Sequence, residues 1–215
     1  MSDIPAAKPK DGVTLEDYGI VLPAVIRELI ASVLLSEDEI QRRVDELADE
    51  IGRIYAEEDE LILLPILTGA VFLATDIGRA LAKCSSLNIK YDLTKASSYE
   101  SKTQQEIRIQ LEPVGVQGKS VLLLDDVLDR GTTMATLRAK LQEWGAKDVR
   151  ACVMFDKLPN DPDQQVLEQR RAASPEFVGF EIPVIDGESP WIGGYGLDST
   201  STYHLRHLPC LVAIK

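Results

Sequence analysis

Residues 121–134, VLLLDDVLDRGTTM, join a buried strand to a helix through an acidic turn. The four apolar residues at 121–124 are typical of a strand that is buried on both faces. We expect this strand to end at Asp125 and Asp126 and the helix to start near Met134. In an open α/β sheet, ligands bind at the carboxyl ends of the strands, where loops lead into helices. The stretch therefore predicts both an α/β fold and the position of its site.

The residue types of this turn suit a phosphorylated sugar. Gly131, Thr132 and Thr133 at a helix start offer backbone N–H groups and hydroxyls to a phosphate. The carboxylates just before them can accept hydrogen bonds from sugar hydroxyls or hold a hard cation such as Mg²⁺. We therefore expect a ligand with hydroxyls, a phosphate and a bound metal.

Two simpler interpretations of the acidic turn fit less well. A strand that ends in two aspartates also occurs in P-loop ATPases, but that class requires a GxxxxGK[ST] loop, which the sequence lacks. A helix cap explains one carboxylate, whereas the turn carries three and an Arg-Gly-Thr-Thr sequence.

The stretch resembles the phosphoribosyl pyrophosphate motif of type I phosphoribosyltransferases. In that motif an apolar strand, two acids, two apolar residues and an aspartate precede a phosphate loop rich in Thr and Gly. The resemblance extends from about residue 36 to residue 215 and implies a mainly parallel sheet flanked by helices, with a small hood subdomain. It implies that residues 1–35 form an N-terminal arm that contributes to the hood. Residues 36–215 would form the phosphoribosyltransferase domain, whose C-terminal part completes the purine-binding hood.

Composition narrows the partners and the location. The chain has 215 residues and a net charge of −12, which argues against nucleic acid or an anionic membrane as the main partner. No apolar run reaches membrane-spanning length. The cysteines at 84, 152 and 210 are scattered, and we expect them to be buried in a cytoplasmic protein.

The resemblance implies roles for the residues that would bind phosphoribosyl pyrophosphate. Asp125 and Asp126 would hold the ribose hydroxyls, and Asp129 would act as the catalytic base near purine N7. Asp125 stands where Glu is commoner in the family, and Arg130 and Thr132 replace the usual Thr and Lys. Arg130 either contacts the 5′-phosphate or points outwards. The substrate-binding positions implied are Thr68, Gly69, Asp125, Asp126, Arg130, Gly131, Thr132, Thr133 and Arg206.

Three further segments match the family around the pyrophosphate and the metal. Thr68 and Gly69 lie in the pyrophosphate loop, where Thr68 replaces the family's usual basic residue. Asp198 matches the acid that helps to hold Mg²⁺, which makes Mg²⁺ the expected cofactor. Arg206 matches an arginine that contacts pyrophosphate, although His204 occupies the position with the usual spacing.

The purine pocket places the resemblance in the hypoxanthine-guanine branch. Lys157 would donate to the purine O6 and would oppose a 6-amino group. Trp191 would stack on the purine, and the backbone carbonyl of Ile192 would meet its edge. Ser98 and Tyr99 match a mobile lid that would shield the cationic sugar from water.

The resemblance implies purine salvage by transfer of phosphoribosyl from phosphoribosyl pyrophosphate to hypoxanthine or guanine. The products would be the nucleoside monophosphate and pyrophosphate, and a homodimer or homotetramer is usual in the family. One alternative is a uracil phosphoribosyltransferase that binds RNA as a regulator, and another is a non-catalytic interaction protein on this fold. Two apparent insertions, near residues 158–174 and 184–190, have no assigned role.

Overall fold

A parallel sheet forms the centre of the molecule. The computed structural model describes residues 4–100, 105–160, 163–185, 187–198 and 204–215. Across these ranges the sheet has five strands, in the order β3-β2-β6-β7-β8, and neighbouring strands are parallel. The bounds are β2 Glu60–Pro65, β3 Asn88–Tyr91, β6 Ser120–Leu128, β7 Asp148–Lys157 and β8 Phe177–Ile182.

A smaller antiparallel sheet combines strands from both ends of the chain. Its strands are β1 Ile30–Leu35, β9 Trp191–Gly193 and β10 Leu211–Ile214, with β10 between the other two. The predicted hood would likewise combine both ends of the chain. Two further strands, β4 Lys95–Glu100 and β5 Gln105–Leu111, pair as an antiparallel hairpin.

Helices cover both faces of the parallel sheet. α2 Glu37–Ile54 and α3 Val71–Cys84 pack on one face, and α4 Thr132–Glu143 and α5 Gln164–Ala173 pack on the other. The short helix α1 Ala24–Arg27 packs with the antiparallel sheet instead. α2 begins with a capping box, in which the Ser36 side chain accepts from the Glu39 N–H and the Glu39 carboxylate accepts from the Ser36 N–H. The α/β fold with its flanking helices is therefore confirmed.

β6 is buried on both faces, as its apolar run predicts. Leu122 and Leu124 pack in the core beneath α2 and α3, whereas Val121 and Leu123 pack in the core beneath α4. All four side chains are fully buried. Because β6 is central, Asp125 and Asp126 at its carboxyl end lie near the middle of the sheet edge.

Two details differ from the sequence predictions, and one segment for which no structure was predicted contains a helix. β6 continues through Asp125 and Asp126 to Leu128, because its ladder with β7 extends to the pair Leu128–Asp156. The first insertion contains helix α5, which Asp163 caps by accepting from the Val166 N–H at 2.8 Å. Cys152 and Cys210 are buried as expected, but Cys84 is exposed, so that prediction was wrong.

Within the described ranges, the helices are too short or too polar to span a bilayer.

Candidate active site

The predicted site lies along the edge of the parallel sheet where its strands reach their carboxyl ends. β2, β6 and β7 are neighbours there, so the loops that follow them meet at one edge. Thr68 and Gly69 follow β2, Asp129 follows β6, and Lys157 is the last residue of β7. The fold thus brings together residues that are up to 89 positions apart.

Asp125 and Asp126 form a half-buried acid pair within β6. The Asp126 N–H donates to Asp125 Oδ1 at 3.0 Å, and the Val127 N–H donates to Asp126 Oδ1 at 2.9 Å. Burial raises the pKa of Asp125 well above its usual range, and the neighbouring charge of Asp126 raises it further. Burial also raises the pKa of Asp126, although Arg206 opposes the shift. The pair is a set of acceptors kept close together at a cost in free energy.

That cost predicts a stabilising substitution. Between the unfolded and the folded pKa, Asp125 in the folded chain retains a proton that the unfolded chain has already lost. The contribution of Asp125 to stability is therefore fully present below its unfolded pKa of about 3.9 and is lost as pH rises through the folded pKa. Asp125→Asn removes this fall, so we expect its Tm to exceed that of the wild type by a few degrees at pH 7.5, since about 1 kcal/mol moves the Tm of a chain this size by about 2–4 °C.

Thermal unfolding from pH 4 to pH 8 measures this effect. The difference in Tm should shrink towards pH 4, because the folded wild type is then uncharged at position 125, as Asp125→Asn is at every pH. Asp45→Asn on the exposed face of α2 is the control and should show no such pH dependence. A Tm for Asp125→Asn below that of the wild type at pH 7.5 would contradict the prediction.

The loops after β2 and β9 touch at two glycines. A Cβ on Gly69 would overlap the Asp126 carboxylate and would lie 3.0 Å from the Gly196 carbonyl oxygen. Gly196 has φ +93°, and a Cβ there would overlap the Gly69 carbonyl oxygen. The Leu67–Thr68 peptide is cis, and the Thr68 side chain is exposed. Glycine at both positions lets the predicted pyrophosphate loop reach the acid pair.

Asp198 lies in a cluster with two basic side chains. Its Oδ2 is 3.0 Å from His204 Nδ1 and 3.3 Å from Arg206 Nε. Burial opposes ionisation, but His204 and Arg206 outweigh it and lower the pKa of Asp198. Among the described residues, nothing donates to its buried Oδ1. Asp198 is thus an ionised carboxylate whose Oδ1 has no partner among the described residues, whereas His204 and Arg206 both contact its Oδ2.

The turn before α4 has the geometry that its sequence predicts. Gly131 has φ +83° and is the N-cap of α4. The Ala135 N–H bonds to the Gly131 carbonyl at 2.9 Å, so the N–H groups of the three preceding residues lie at the helix start, where none has an intrahelical acceptor. Thr132 and Thr133 are half-buried, and Arg130 is exposed. The turn can receive a phosphate on its backbone.

The predicted purine residues lie beside this turn. The Lys157 ammonium is 5.6 Å from the centroid of the Trp191 ring, a cation–π distance. Trp191 is 70% exposed, whereas Ile192 is buried in β9 opposite Ala213. An aromatic that is exposed to this extent while its strand neighbour is buried is available to a flat ligand. Asp129 is exposed at the end of β6.

Ser98 and Tyr99 lie in β4, where they pair with residues 107 and 106 of β5. The side chains of residues 97–100 and the tip of the hairpin, 101–104, lie outside the described residues. The hairpin's base is anchored, since Ala96 and Ile109 pack against the core beneath α4.

Sequence reasoning missed one residue at this edge of the sheet, Arg170. Arg170 of α5 donates to the Lys157 carbonyl at 3.2 Å and also to the Asp129 carbonyl. It lies in a segment of mixed charge, and only its contacts across the fold distinguish it from the adjacent Arg171. The described residues contain no cluster of three or more His, Cys, Asp or Glu side chains that could hold a metal.

Comparisons with known proteins agree with this geometry. The family model for the phosphoribosyl transferase domain matches residues 32–169. A hypoxanthine-guanine phosphoribosyltransferase from Mycobacterium avium is 33% identical over 195 residues, covering 85% of this chain and 88% of that protein. One from Aquifex aeolicus is 33% identical over 177 residues, covering 80% and 89%. A crystal structure of a hypoxanthine-guanine phosphoribosyltransferase from Bacillus anthracis matches with a TM-score of 0.68 and 28% identity, covering 86% and 98%.

Proposed function

The chain belongs to the phosphoribosyltransferase family, and from that premise we propose that it is a purine salvage enzyme of the hypoxanthine-guanine branch. It would transfer phosphoribosyl from phosphoribosyl pyrophosphate to N9 of hypoxanthine or guanine. The observation that supports a 6-oxopurine substrate is the pairing of Lys157 with the exposed Trp191. This pair lies at the same edge of the parallel sheet as Asp125 and Asp126. One donor and one open aromatic face suit a 6-oxopurine.

The sugar-phosphate half of the proposal rests on β6 and the turn that follows. Asp125 and Asp126 would accept hydrogen bonds from the ribose hydroxyls and favour the positive charge that develops on the sugar. Gly131, Thr132 and Thr133 would receive the 5′-phosphate on backbone N–H groups at the helix start. Arg130 is exposed near this turn, so its charge can add to phosphate binding without a folding cost.

The purine half rests on the end of β7 and on β9. Lys157 would donate to O6, Trp191 would stack on the ring, and the Ile192 carbonyl would accept from the purine edge. Asp129 would take the proton near N7, so that the base attacks the sugar as a better nucleophile. We propose that the hairpin carrying Ser98 and Tyr99 closes over this reaction as a lid.

The pyrophosphate that leaves in the transfer would lie beside a fitting position for Mg²⁺. Asp198 is an ionised carboxylate whose Oδ1 has no hydrogen-bond donor among the described residues, and hard cations prefer such oxygens. One protein carboxylate together with phosphate oxygens and water is a usual Mg²⁺ set. Bound there, Mg²⁺ would neutralise the leaving pyrophosphate. Thr68, Gly69 and Arg206 would bind the pyrophosphate oxygens.

Two other functions fit the geometry less well. An RNA-binding uracil phosphoribosyltransferase would need a basic surface, and the net charge of −12 opposes it. A non-catalytic interaction protein leaves unexplained the half-buried acid pair and the uncommitted Asp198 oxygen. The family resemblance also predicts a homodimer or homotetramer in the cytoplasm. It further predicts that the N-terminal arm, which contributes to the hood, ends near residue 35. Sedimentation of the purified protein measures the oligomeric state.

A substrate panel tests the proposed function. Hypoxanthine, guanine, xanthine, adenine and uracil are each incubated with phosphoribosyl pyrophosphate and Mg²⁺, and nucleotide formation is measured. We expect activity with hypoxanthine or guanine and none with uracil. Activity with uracil but with none of the purines would refute the proposal. Inactivity with all five bases would also refute it.

Lys157→Gln tests how the purine is chosen. The substitution replaces a charged donor with an amide that can both donate and accept, so a 6-amino group is no longer opposed. We expect the KM for hypoxanthine to rise by about 10- to 100-fold, the worth of a charged hydrogen bond of about 1.5–3 kcal/mol, and discrimination against adenine to fall. Steady-state kinetics with both bases measure this.

Lys147→Gln is the matched control, because Lys147 pairs with Glu58 at the opposite edge of the sheet. It should leave both bases' kinetics unchanged. An unchanged KM for hypoxanthine in Lys157→Gln would assign the recognition of O6 to another residue.

A further inference from the structure

Helix α5 lies in the first insertion and packs under the two loops that carry the proposed chemistry. We propose that Arg170 of this helix is a positioning residue that ties the end of β6, with Asp129, to the end of β7, with Lys157. The proposal rests on the proposed function, because it concerns how these two side chains are held relative to each other.

One guanidinium reaches both strand ends. Arg170 Nη1 donates to the Lys157 carbonyl at 3.2 Å, to the Asp129 carbonyl, and more weakly to the Leu128 carbonyl at 3.4 Å. Its Nη2 forms an ion pair with Asp156 Oδ1. The Arg170 side chain is 13% exposed and that of Asp156 is 16% exposed, so the contact is largely removed from water. Three of the four partners are main-chain carbonyls at or just after the ends of two neighbouring strands.

The chemistry of arginine suits this contact. A guanidinium presents several N–H donors in one rigid plane, so it can hold acceptors on two strands at a fixed separation. Asp156 pairs with the positive charge, which a half-buried guanidinium requires. A lysine would keep the charge, but its single ammonium on a flexible stem fixes geometry less well.

A second contact connects the same helix to the proposed phosphate turn. A Cβ on Gly131 would lie 2.7 Å from Ala173 Cβ and 3.3 Å from the Gln169 carbonyl, so the turn rests directly on α5. The Thr132 hydroxyl donates to Gln169 Oε1 at 3.3 Å. α5 therefore supports the phosphate turn through Gln169 and Ala173 and the two strand ends through Arg170.

The separation of Asp129 from Lys157 matters for the transfer. Lys157 would fix the purine by O6 while Asp129 takes a proton near N7 of the same ring. The two strand ends must then hold one rigid ring between them. Loss of the shared donor would let them move independently, and a misplacement of about 1 Å can cost about 100-fold in rate.

The test compares three variants of the full chain. Arg170→Gln removes the fork and the charge, Arg170→Lys keeps the charge, and Arg171→Gln is the control, because Arg171 is exposed on the same helix. For each, kcat and KM for hypoxanthine are measured per binding site titrated with phosphoribosyl pyrophosphate. We expect Arg170→Gln to lower kcat by about 10- to 100-fold and to raise the KM for hypoxanthine. The affinity for phosphoribosyl pyrophosphate should stay near that of the wild type.

Arg170→Lys distinguishes positioning from folding. It should retain the wild-type Tm yet show a reduced kcat, because charge supports the fold while the planar fork supports the geometry. Wild-type kcat and KM in Arg170→Lys, or in Arg170→Gln per titrated site, would overturn the proposal. If Arg170→Gln does not fold, the kinetics of Arg170→Lys decide.

Amide hydrogen exchange separates this proposal from the proposed function. Exchange at residues 128–131 and 157–158 should be faster in Arg170→Gln than in Arg171→Gln. A wild-type chain that is inactive across the substrate panel, with this difference in exchange present, would refute the proposed function but not the tie between the strands. Equal exchange in both variants would refute the tie.

Discussion

We expect Asp129→Asn to lower kcat for hypoxanthine by about 100- to 10,000-fold, the usual worth of a general base, and to leave the affinity for phosphoribosyl pyrophosphate within about threefold of the wild type. Asn has almost the shape of Asp but cannot take a proton. The side chain is exposed at the end of β6, so the substitution has no folding cost. The Asp129 main-chain carbonyl still accepts from Arg170. Single-turnover kinetics and calorimetric titration measure the two quantities separately.

Asp45→Asn controls for the loss of one negative charge. Asp45 is exposed on α2, and its only described side-chain partner is Gln41. It should leave kcat unchanged. A kcat for Asp129→Asn within threefold of the wild type would show that another group takes the proton, whereas a parallel loss of phosphoribosyl pyrophosphate binding would show that Asp129 binds substrate instead.

We expect Gly69→Ala to lower the affinity for phosphoribosyl pyrophosphate by about 100-fold or more, the equivalent of two lost hydrogen bonds to charged groups at about 1.5 kcal/mol each. The added methyl group would overlap the Asp126 carboxylate and press on the Gly196 carbonyl. The carboxylate can move only by leaving its place beside Asp125, and the carbonyl is main chain. One methyl group thus disturbs the predicted pyrophosphate loop and the ribose-binding acids together.

Gly52→Ala is the matched control for Gly69→Ala. Gly52 lies within α2, and a Cβ there makes only an ordinary contact of 3.4 Å with Ser85 Cβ. Alanine also favours a helix interior by about 1 kcal/mol over glycine, so Gly52→Ala should keep full affinity and a wild-type or higher Tm. Calorimetric titration with phosphoribosyl pyrophosphate measures the affinity of both variants, and thermal unfolding measures their Tm. Wild-type affinity in Gly69→Ala would mean that the ligand does not bind between Gly69 and Asp126.

Short-range chemistry made much of the fold predictable. The apolar run at 121–124 allows no solvent-facing side, so the central strand follows from its residues alone. Ser36 and Glu39 satisfy each other's N–H groups within one turn, which fixes the start of α2. The candidate site residues were found because they flank such elements and match a family motif.

Contacts between distant segments were not predictable in the same way. β6 extends past its acids because β7 pairs with it, and no residue of β6 itself encodes that. Arg170 is one charge among many in a polar segment, and its role depends on four acceptors brought together from β6 and β7. The close approach of Gly69 to Asp126 likewise joins a loop to a strand residue 57 positions away.

The most direct measurement is a crystal structure of the protein soaked with phosphoribosyl pyrophosphate and Mg²⁺. The 5′-phosphate should lie on the backbone N–H groups of residues 131–133, and the ribose hydroxyls should lie within hydrogen-bond distance of Asp125 and Asp126. The compound bound at any other place, or bound with these carboxylates turned away from it, would contradict the account.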